Sequence, residues 1–181
     1  SARGDLAGAE GLLLESLAIR RKIGQNHPDT ARSLTSLAVV AGKGEKVADA
    51  ENYLREALEI QRSLVGDDHP EFARVLGGLG VILLGRGNAM EAEPMLREAL
   101  SLRRKHHGPG DPRTVSGEVE LAWALSEIVL GPDARAPGPN GATLAAEAES
   151  LARGALPALI AADAPDPTRV ALGRSILGLS I

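Results

Sequence analysis

Residues 50–70, AENYLREALEIQRSLVGDDHP, return 42 residues later at 92–112 as AEPMLREALSLRRKHHGPGDP. The two copies share seven of their first nine residues, in the pattern AExxLREAL, and the closing proline. Weaker copies, each one residue shorter, lie at 9–28 and 148–167. A repeat of this length is typical of supersecondary units that stack on one another to bury a shared core. The sequence therefore predicts an all-α solenoid of stacked antiparallel helix pairs.

Each repeat contains two amphipathic helices separated by a glycine-containing turn. In the second helix, Ala50, Leu54 and Ala57 recur at helical spacing, and Gly66-Asp67-Asp68 ends the pattern before Pro70 restarts it. In the preceding helix, a core stripe has the same spacing and comprises Leu34, Leu37, Ala38 and Ala41. We expect these two faces to pack against each other within one hairpin.

The repeat divides the chain into units of a single domain covering 1–181. We predict an unpaired second helix at 4–26, repeats at 27–68, 69–110 and 111–165, and a terminal helix at 166–181. The third repeat is longer because a Pro/Gly-rich insertion occupies 131–141, which we expect to be an elongated turn. The unpaired helix at each end indicates a segment of a larger protein.

Composition restricts the possible functions. One Trp, one Tyr and one Phe in 181 residues leave burial to Leu and Ala. A net charge of −4 gives no reason to expect nucleic acid or an acidic membrane as partner. There is no cysteine, apolar span or signal-peptide pattern. We expect a soluble, cytoplasmic protein without metal or cofactor.

The hairpins resemble the tetratricopeptide repeat. Small residues lie where the helices should cross, and they are Ala38, Ala50, Ala57, Gly80, Ala92 and Ala99. The 42-residue period is similar to that of the long variant found in kinesin light chains. The resemblance implies a right-handed superhelix whose first helices line a concave groove that holds an extended peptide or a partner's helix.

The groove face of the first helices can be located from the repeat, because it lies away from the core stripe. The candidate partner-binding residues are Arg32, Thr35, Ser36, Val39, Arg74, Gly77, Gly78, Val81, Glu120, Trp123 and Arg174. Arginine offers a bidentate fork to a carboxylate, so the partner would be acidic, and Trp123 offers a flat apolar wall. Two alternatives stay open: the arginines pair with Glu118, Glu120 or nearby acids as surface charge, and Trp123 seals the core.

Kinesin-light-chain-like repeats usually carry an asparagine pair on this face. This chain has Thr35-Ser36, Gly77-Gly78 and Val119-Glu120 at those positions. It therefore departs from the amide clamp of that family in every repeat.

The leading functional prediction is a non-enzymatic scaffold that binds a peptide or helix of a partner in the groove. The alternative is an assembly module that self-associates or stacks end to end through its unpaired terminal helices. Catalytic patterns are lacking: His106-His107 beside Asp111 reads as basic residues at a helix C-terminus, where the dipole favours them.

Overall fold

The computed structural model describes residues 2–131, 139–161 and 167–178, and within these ranges the only regular secondary structure is α-helix. The helices are α1 Ala2–Ile23, α2 Pro28–Lys43, α3 Val47–Val65, α4 Pro70–Gly85, α5 Ala89–His107, α6 Pro112–Leu130, α7 Pro139–Ala161 and α8 Pro167–Ile176. The predicted all-α repeat fold is therefore confirmed.

The first helices of successive repeats begin with the same capping arrangement. His27 Nδ1 accepts a hydrogen bond of 3.2 Å from the backbone N–H of Asp29, and His69 Nδ1 accepts one of 3.1 Å from Glu71. Asp111 takes this role in the third repeat, where its Oδ1 accepts from Arg113 N–H at 2.9 Å. Each cap satisfies an N–H that a helix start leaves without an intrahelical partner. A proline follows each cap, which explains why the helices begin where the sequence predicts.

One helix boundary differs from the sequence-based expectation. Helix α7 begins at Pro139, so the last residues of the turn predicted at 131–141 are helical. A proline is favoured in the first helical turn, and it starts α7 four residues before the predicted Thr143. The central part of the insertion, 132–138, lies outside the described residues. Helix α8 ends at Ile176, and Gly178 has a left-handed φ of 66°. The predicted boundary at 181 lies outside the described residues.

The chain forms two compact units, 1–82 and 83–181. In the first unit α2 packs against both α1 and α3. The predicted core stripe of α2 is buried completely or nearly so, and it comprises Leu34, Leu37, Ala38 and Ala41. The side chain of Phe72 at the start of α4 is fully buried, and the guanidinium of Arg62 lies 5.3 Å from its ring centroid. The one phenylalanine of the chain thus seals the junction between α3 and α4.

In the second unit α6 packs against α5 and α7, and α8 packs against α6 and α7. The stripe of α5 that the sequence repeats is buried and comprises Ala92, Leu96, Ala99 and Leu100. A second cluster consists of Val115, Val119, Ala155 and Leu159, with Val170 and Leu172 of α8 packed against it. Leucine, valine and alanine therefore build both cores, as the low aromatic content predicts.

Candidate partner-binding face

The exposed stripe of α2 is the clearest candidate surface. Arg32, Ser36 and Val39 follow one another at i, i+4 and i+7, so they lie on one side of the helix. The side chain of Arg32 is 68% exposed and Val39 is 54% exposed, whereas Ser36 is half-buried and donates to the carbonyl of Arg32 at 3.0 Å. A large apolar side chain thus lies open to solvent on the same side of the helix as an exposed arginine two turns earlier, and the opposite side of the helix is packed.

Helix α4 repeats this arrangement with a glycine in place of Ser36. Arg74 is exposed, and Gly78 and Val81 are half-buried at the equivalent positions. A Cβ atom on Gly78 would lie 3.6 Å from Leu54 Cδ2, which is ordinary van der Waals contact. The absence of a side chain at Gly78 is therefore not required by packing against α3.

Three candidate residues lie inside the packed structure. Thr35 is buried and its hydroxyl donates to the carbonyl of Ala31 at 2.9 Å, and Gly77 is buried as well. Glu120 is only 8% exposed. These positions present little surface to a partner, because the side of the helix that carries them also contacts its neighbours.

Both candidate arginines make the same local ion pair. Arg32 Nη1 lies 2.7 Å from Asp29 Oδ1, and Arg74 Nη2 lies 2.8 Å from Glu71 Oε2. Each acid lies three residues earlier, in the first turn of the same helix, where its charge complements the dipole. Exposed pairs of this kind contribute about 0–1 kcal/mol. The pairs orient the two guanidinium groups. Because each pair is weak, replacing Asp29 or Glu71 by another carboxylate would cost little free energy.

Glu120 belongs to an ion cluster that links three helices of the second unit. Its Oε2 accepts from Arg103 Nη1 of α5 at 2.7 Å, and its Oε1 accepts from Arg169 Nη2 of α8 at 3.1 Å. A buried carboxylate requires such partners because its desolvation is costly. Gly117 makes room for the cluster, since a Cβ there would lie 2.8 Å from Arg103 Nη1. The position predicted as groove surface in the third repeat therefore carries a buried ion cluster.

Trp123 and Arg174 are the other candidates in the second unit. Trp123 is half-buried, and its Nε1 donates to Glu127 Oε1 one turn later at 3.2 Å. This bond satisfies the indole N–H within α6 and leaves part of the ring exposed. Arg174 is half-buried on α8.

Ion pairs also join successive second helices within each unit. Arg21 of α1 lies 2.6 Å from Glu56 of α3, and Arg97 of α5 lies 2.6 Å from Glu147 of α7. The hydrogen bond from Arg97 lowers the pKa of Glu147 below its ordinary value, against the opposing effect of burial. The same contact raises the pKa of Arg97. Each pair joins a second helix to the second helix of the next hairpin.

Neither a metal cluster nor a membrane-spanning helix occurs among the described residues. In them, no group of three or more His, Asp or Glu side chains could hold a metal ion. No helix in the same part of the chain has the length and apolar content to cross a membrane.

The stacked hairpins and the recurring cap, core stripe and exposed arginine define a helical-repeat protein. The model of the tetratricopeptide repeat family matches residues 1–63 and again 43–105, and the chain belongs to this family. The second match begins at residue 43 instead of residue 1, the same 42-residue period that relates Ala50 to Ala92. Repeats of this family mediate interactions between proteins.

Solved structures of the kinesin-light-chain-like type share the fold. BtubC (BKLC) from P. vanneervenii superposes with a TM-score of 0.72 at 18% identity, over 97% of this chain and 67% of that protein. A kinesin-light-chain-like protein from Podosopora anserina with nearly identical TPR-like repeats gives 0.70 at 20% identity, over 97% and 80%. A point variant of the same Podosopora protein gives 0.71 at the same identity and coverage. A search of curated proteins finds no match.

Sequence reasoning did not identify Arg103 and Arg169 as partners of Glu120. A signal for the first of them was present in the repeat. Arg103 replaces the buried Gln61 of the preceding copy, and Glu120 replaces its Gly78. One copy thus gains a positive residue and a negative residue relative to the copy before it. Such a paired gain indicates that the two positions are in contact.

Proposed function

We propose that this chain is a non-enzymatic interaction scaffold that binds an acidic peptide or helix of a partner protein. The binding face is the exposed stripe of α2 and its counterpart on α4, within the first unit. The observation that carries this proposal is the exposure of both Val39 and Arg32 on one side of α2, a helix that is buried along its core side. Membership of a family whose repeats bind proteins supports the same function.

The chemistry of the face favours a partner with alternating apolar and acidic side chains. Val39 and Val81 offer apolar contact at one end of each stripe, and Arg32 and Arg74 offer guanidinium groups two turns earlier. A partner carboxylate would displace Asp29 or Glu71 from a solvent-exposed pair, which costs little. In return it would form a charge-assisted and often bidentate bond in the shelter of the bound partner.

In the first step of the experiment, the whole 181-residue chain is used to select binding peptides from a displayed library of random helical peptides. Affinities of the selected peptides are then measured by titration calorimetry for wild type, Val39→Asp and the double variant Arg32→Glu with Arg74→Glu. We expect both variants to weaken binding at least about tenfold, equivalent to about 1.4 kcal/mol. Acidic residues should be enriched among the selected peptides.

Matched controls lie on a second helix of the same unit. Arg55→Glu reverses an exposed arginine that pairs with Glu51 on α3, and Val65→Asp places a charge at the exposed end of that helix. These controls should bind as wild type does. Peptides that bind the control and test variants equally would assign the interaction to another surface and overturn the proposal.

A further inference from the structure

The accessible side of α6 differs from that of α2 and α4. Helix α6 has 19 residues, whereas α2 and α4 have 16 each. By the 42-residue period, Trp123 takes the position of Val39 and Val81. Glu127 falls at the position of the final residue of α2 and α4, and Leu130 in the additional turn is 81% exposed. Trp123, Glu127 and Leu130 follow one another at i, i+4 and i+7, so they lie on one side of α6.

The indole of Trp123 and the carboxylate of Glu127 are in direct contact. The indole Nε1–H donates to Glu127 Oε1 at 3.2 Å, and both residues are half-buried. This bond uses the only polar group of the indole, so the ring itself is what the exposed part of Trp123 can offer to a partner. A cation that contacts the ring would also be within reach of the carboxylate, because the two side chains are neighbours on the helix surface.

Glu127 also differs from the other acids of this helix. Every other carboxylate from the N-cap to the end of α6 has an arginine partner at 2.7 or 2.8 Å, and these acids are Asp111, Glu118 and Glu120. Arg103 and Arg169 pair with Glu120 and not with Glu127. Within the part of the chain that the structure describes, Glu127 accepts one hydrogen bond, from the indole, and makes no ion pair. A partly buried carboxylate with only a neutral donor keeps an uncompensated charge, which favours a cationic partner.

We propose that Trp123 and Glu127 bind an arginine side chain in a basic, partly apolar segment of a partner protein. A guanidinium is planar, stacks on an aromatic ring and forms two parallel hydrogen bonds to a carboxylate, which an ammonium group does not. Leu130 continues the same side of α6 with an apolar side chain, which favours a segment that has a leucine or a similar residue near the arginine. The charge of Glu127 is opposite to that of the arginines on α2 and α4, so this proposal is independent of the acidic partner proposed for the first unit.

The single tryptophan of the chain supplies the measurement, because its indole N–H gives one separate signal in proton–nitrogen NMR spectra. The whole chain is titrated with the blocked peptide acetyl-Leu-Arg-Leu-amide. We expect a saturable shift of the indole signal and of the backbone amides of α6, with a dissociation constant of about 1 mM. The peptide with uncharged citrulline in place of arginine should bind at least about fivefold more weakly, and so should the lysine peptide. Acetyl-arginine amide should also bind more weakly, since it lacks the apolar residues.

The decisive variant is Glu127→Gln, which keeps an acceptor for the indole N–H and removes only the charge. We expect it to weaken binding of the arginine peptide at least about fivefold. Glu98→Gln is the matched control, because it neutralises an exposed carboxylate on α5 of the same unit, and it should bind as wild type does. Trp123→Leu should abolish the shift of the α6 amides. Circular dichroism checks that each variant is folded, and should Trp123→Leu unfold, the Glu127→Gln result decides by itself.

Three results would overturn the proposal. An indole signal that does not move up to about 10 mM arginine peptide would exclude the site. A Glu127→Gln variant that binds as wild type does, or a citrulline peptide that binds as tightly as the arginine peptide, would show that the carboxylate does not hold the ligand. Equal binding of the lysine peptide or of acetyl-arginine amide would overturn the assignment to an arginine within an apolar segment.

Discussion

Arg103 and Glu120 form an ion pair of 2.7 Å in which both side chains are withdrawn from solvent, at 12% and 11% exposure. The pair joins the end of α5 to the middle of α6, and Arg169 of α8 adds a third member at 3.1 Å. Glu120 occupies the position at which the two earlier copies have Ser36 and Gly78. The third repeat is thus held together by charge where the earlier ones use small residues.

Breaking this pair on one side should be strongly destabilising. Glu120→Ala leaves the buried guanidinium of Arg103 without its carboxylate, and we expect a loss of about 3–5 kcal/mol in the free energy of unfolding. The double variant Glu120→Leu with Arg103→Met should recover most of that loss, because no buried charge remains. Urea titration followed by circular dichroism measures both. Glu149→Ala, which breaks the exposed pair with Arg153 on α7, serves as control and should cost less than about 0.5 kcal/mol.

Replacing either of two glycines on first helices by alanine should change the free energy of unfolding, in opposite directions at the two positions. A Cβ on Gly117 would lie 2.8 Å from Arg103 Nη1 and 3.3 Å from Leu100 Cδ1, so Gly117→Ala must displace an arginine that Glu120 holds. We expect it to destabilise by about 1–3 kcal/mol. Gly78→Ala meets only ordinary contact and should stabilise by up to about 1 kcal/mol through helix propensity.

Thermal unfolding compares these two alanine variants. Measured in an Arg103→Met background, Gly117→Ala should cost little further stability, because the clashing guanidinium is then gone. A Gly117→Ala variant as stable as wild type would show that Arg103 moves aside at no cost, contrary to this prediction.

The histidine cap of α4 should be improvable. His69→Ala removes the acceptor for the Glu71 N–H and should cost about 0.5–2 kcal/mol. His69→Asp introduces the residue used at the start of α6 and should be at least as stable as wild type, since a carboxylate also complements the helix dipole. In α6, hydrogen bonds from Arg113 hold the pKa of Asp111 well below its ordinary value. Melting temperatures of the two His69 variants at neutral pH decide the order, and His106→Ala at the opposite end of a helix is the control.

The Arg97–Glu147 pair should make part of the stability dependent on pH. The folded-state pKa of Glu147 is lowered by Arg97, so its stabilising contribution is fully present above the unfolded-state value of about 4.5 and is lost as the pH falls through the folded-state value. Wild type should therefore be more stable than Glu147→Gln at pH 7, and the difference should shrink below about pH 4.5. Urea titrations at neutral and acid pH measure this difference, with Glu98→Gln on α5 as control. A difference that is constant across the range would rule out the ion pair as its source.

Part of the candidate face could be predicted from the repeat, because Arg32 and Arg74 occupy equivalent positions and are both exposed. Arg32, Ser36, Val39 and Arg74 are exposed or half-buried, as a position on the groove face requires. Thr35, Gly77 and Glu120 are buried, since a first helix of this fold has neighbours on more sides than its core stripe shows. A helical period places a residue on a side of a helix, but the helices packed against that side decide its exposure.

The sequence by itself determined the repeat, its period, the starts of the first helices α2, α4 and α6, and the core stripes of α2 and α3. These depend on local chemistry: cap and proline pairs begin helices, glycine turns end them, and the spacing of Leu and Ala sets the packed side. Only the tertiary structure decided which residues the charged side chains pair with and which sides of each helix are covered by neighbouring helices. Arg103 and Arg169 both meet Glu120, although they lie 17 and 49 residues from it, because α5, α6 and α8 are adjacent in space.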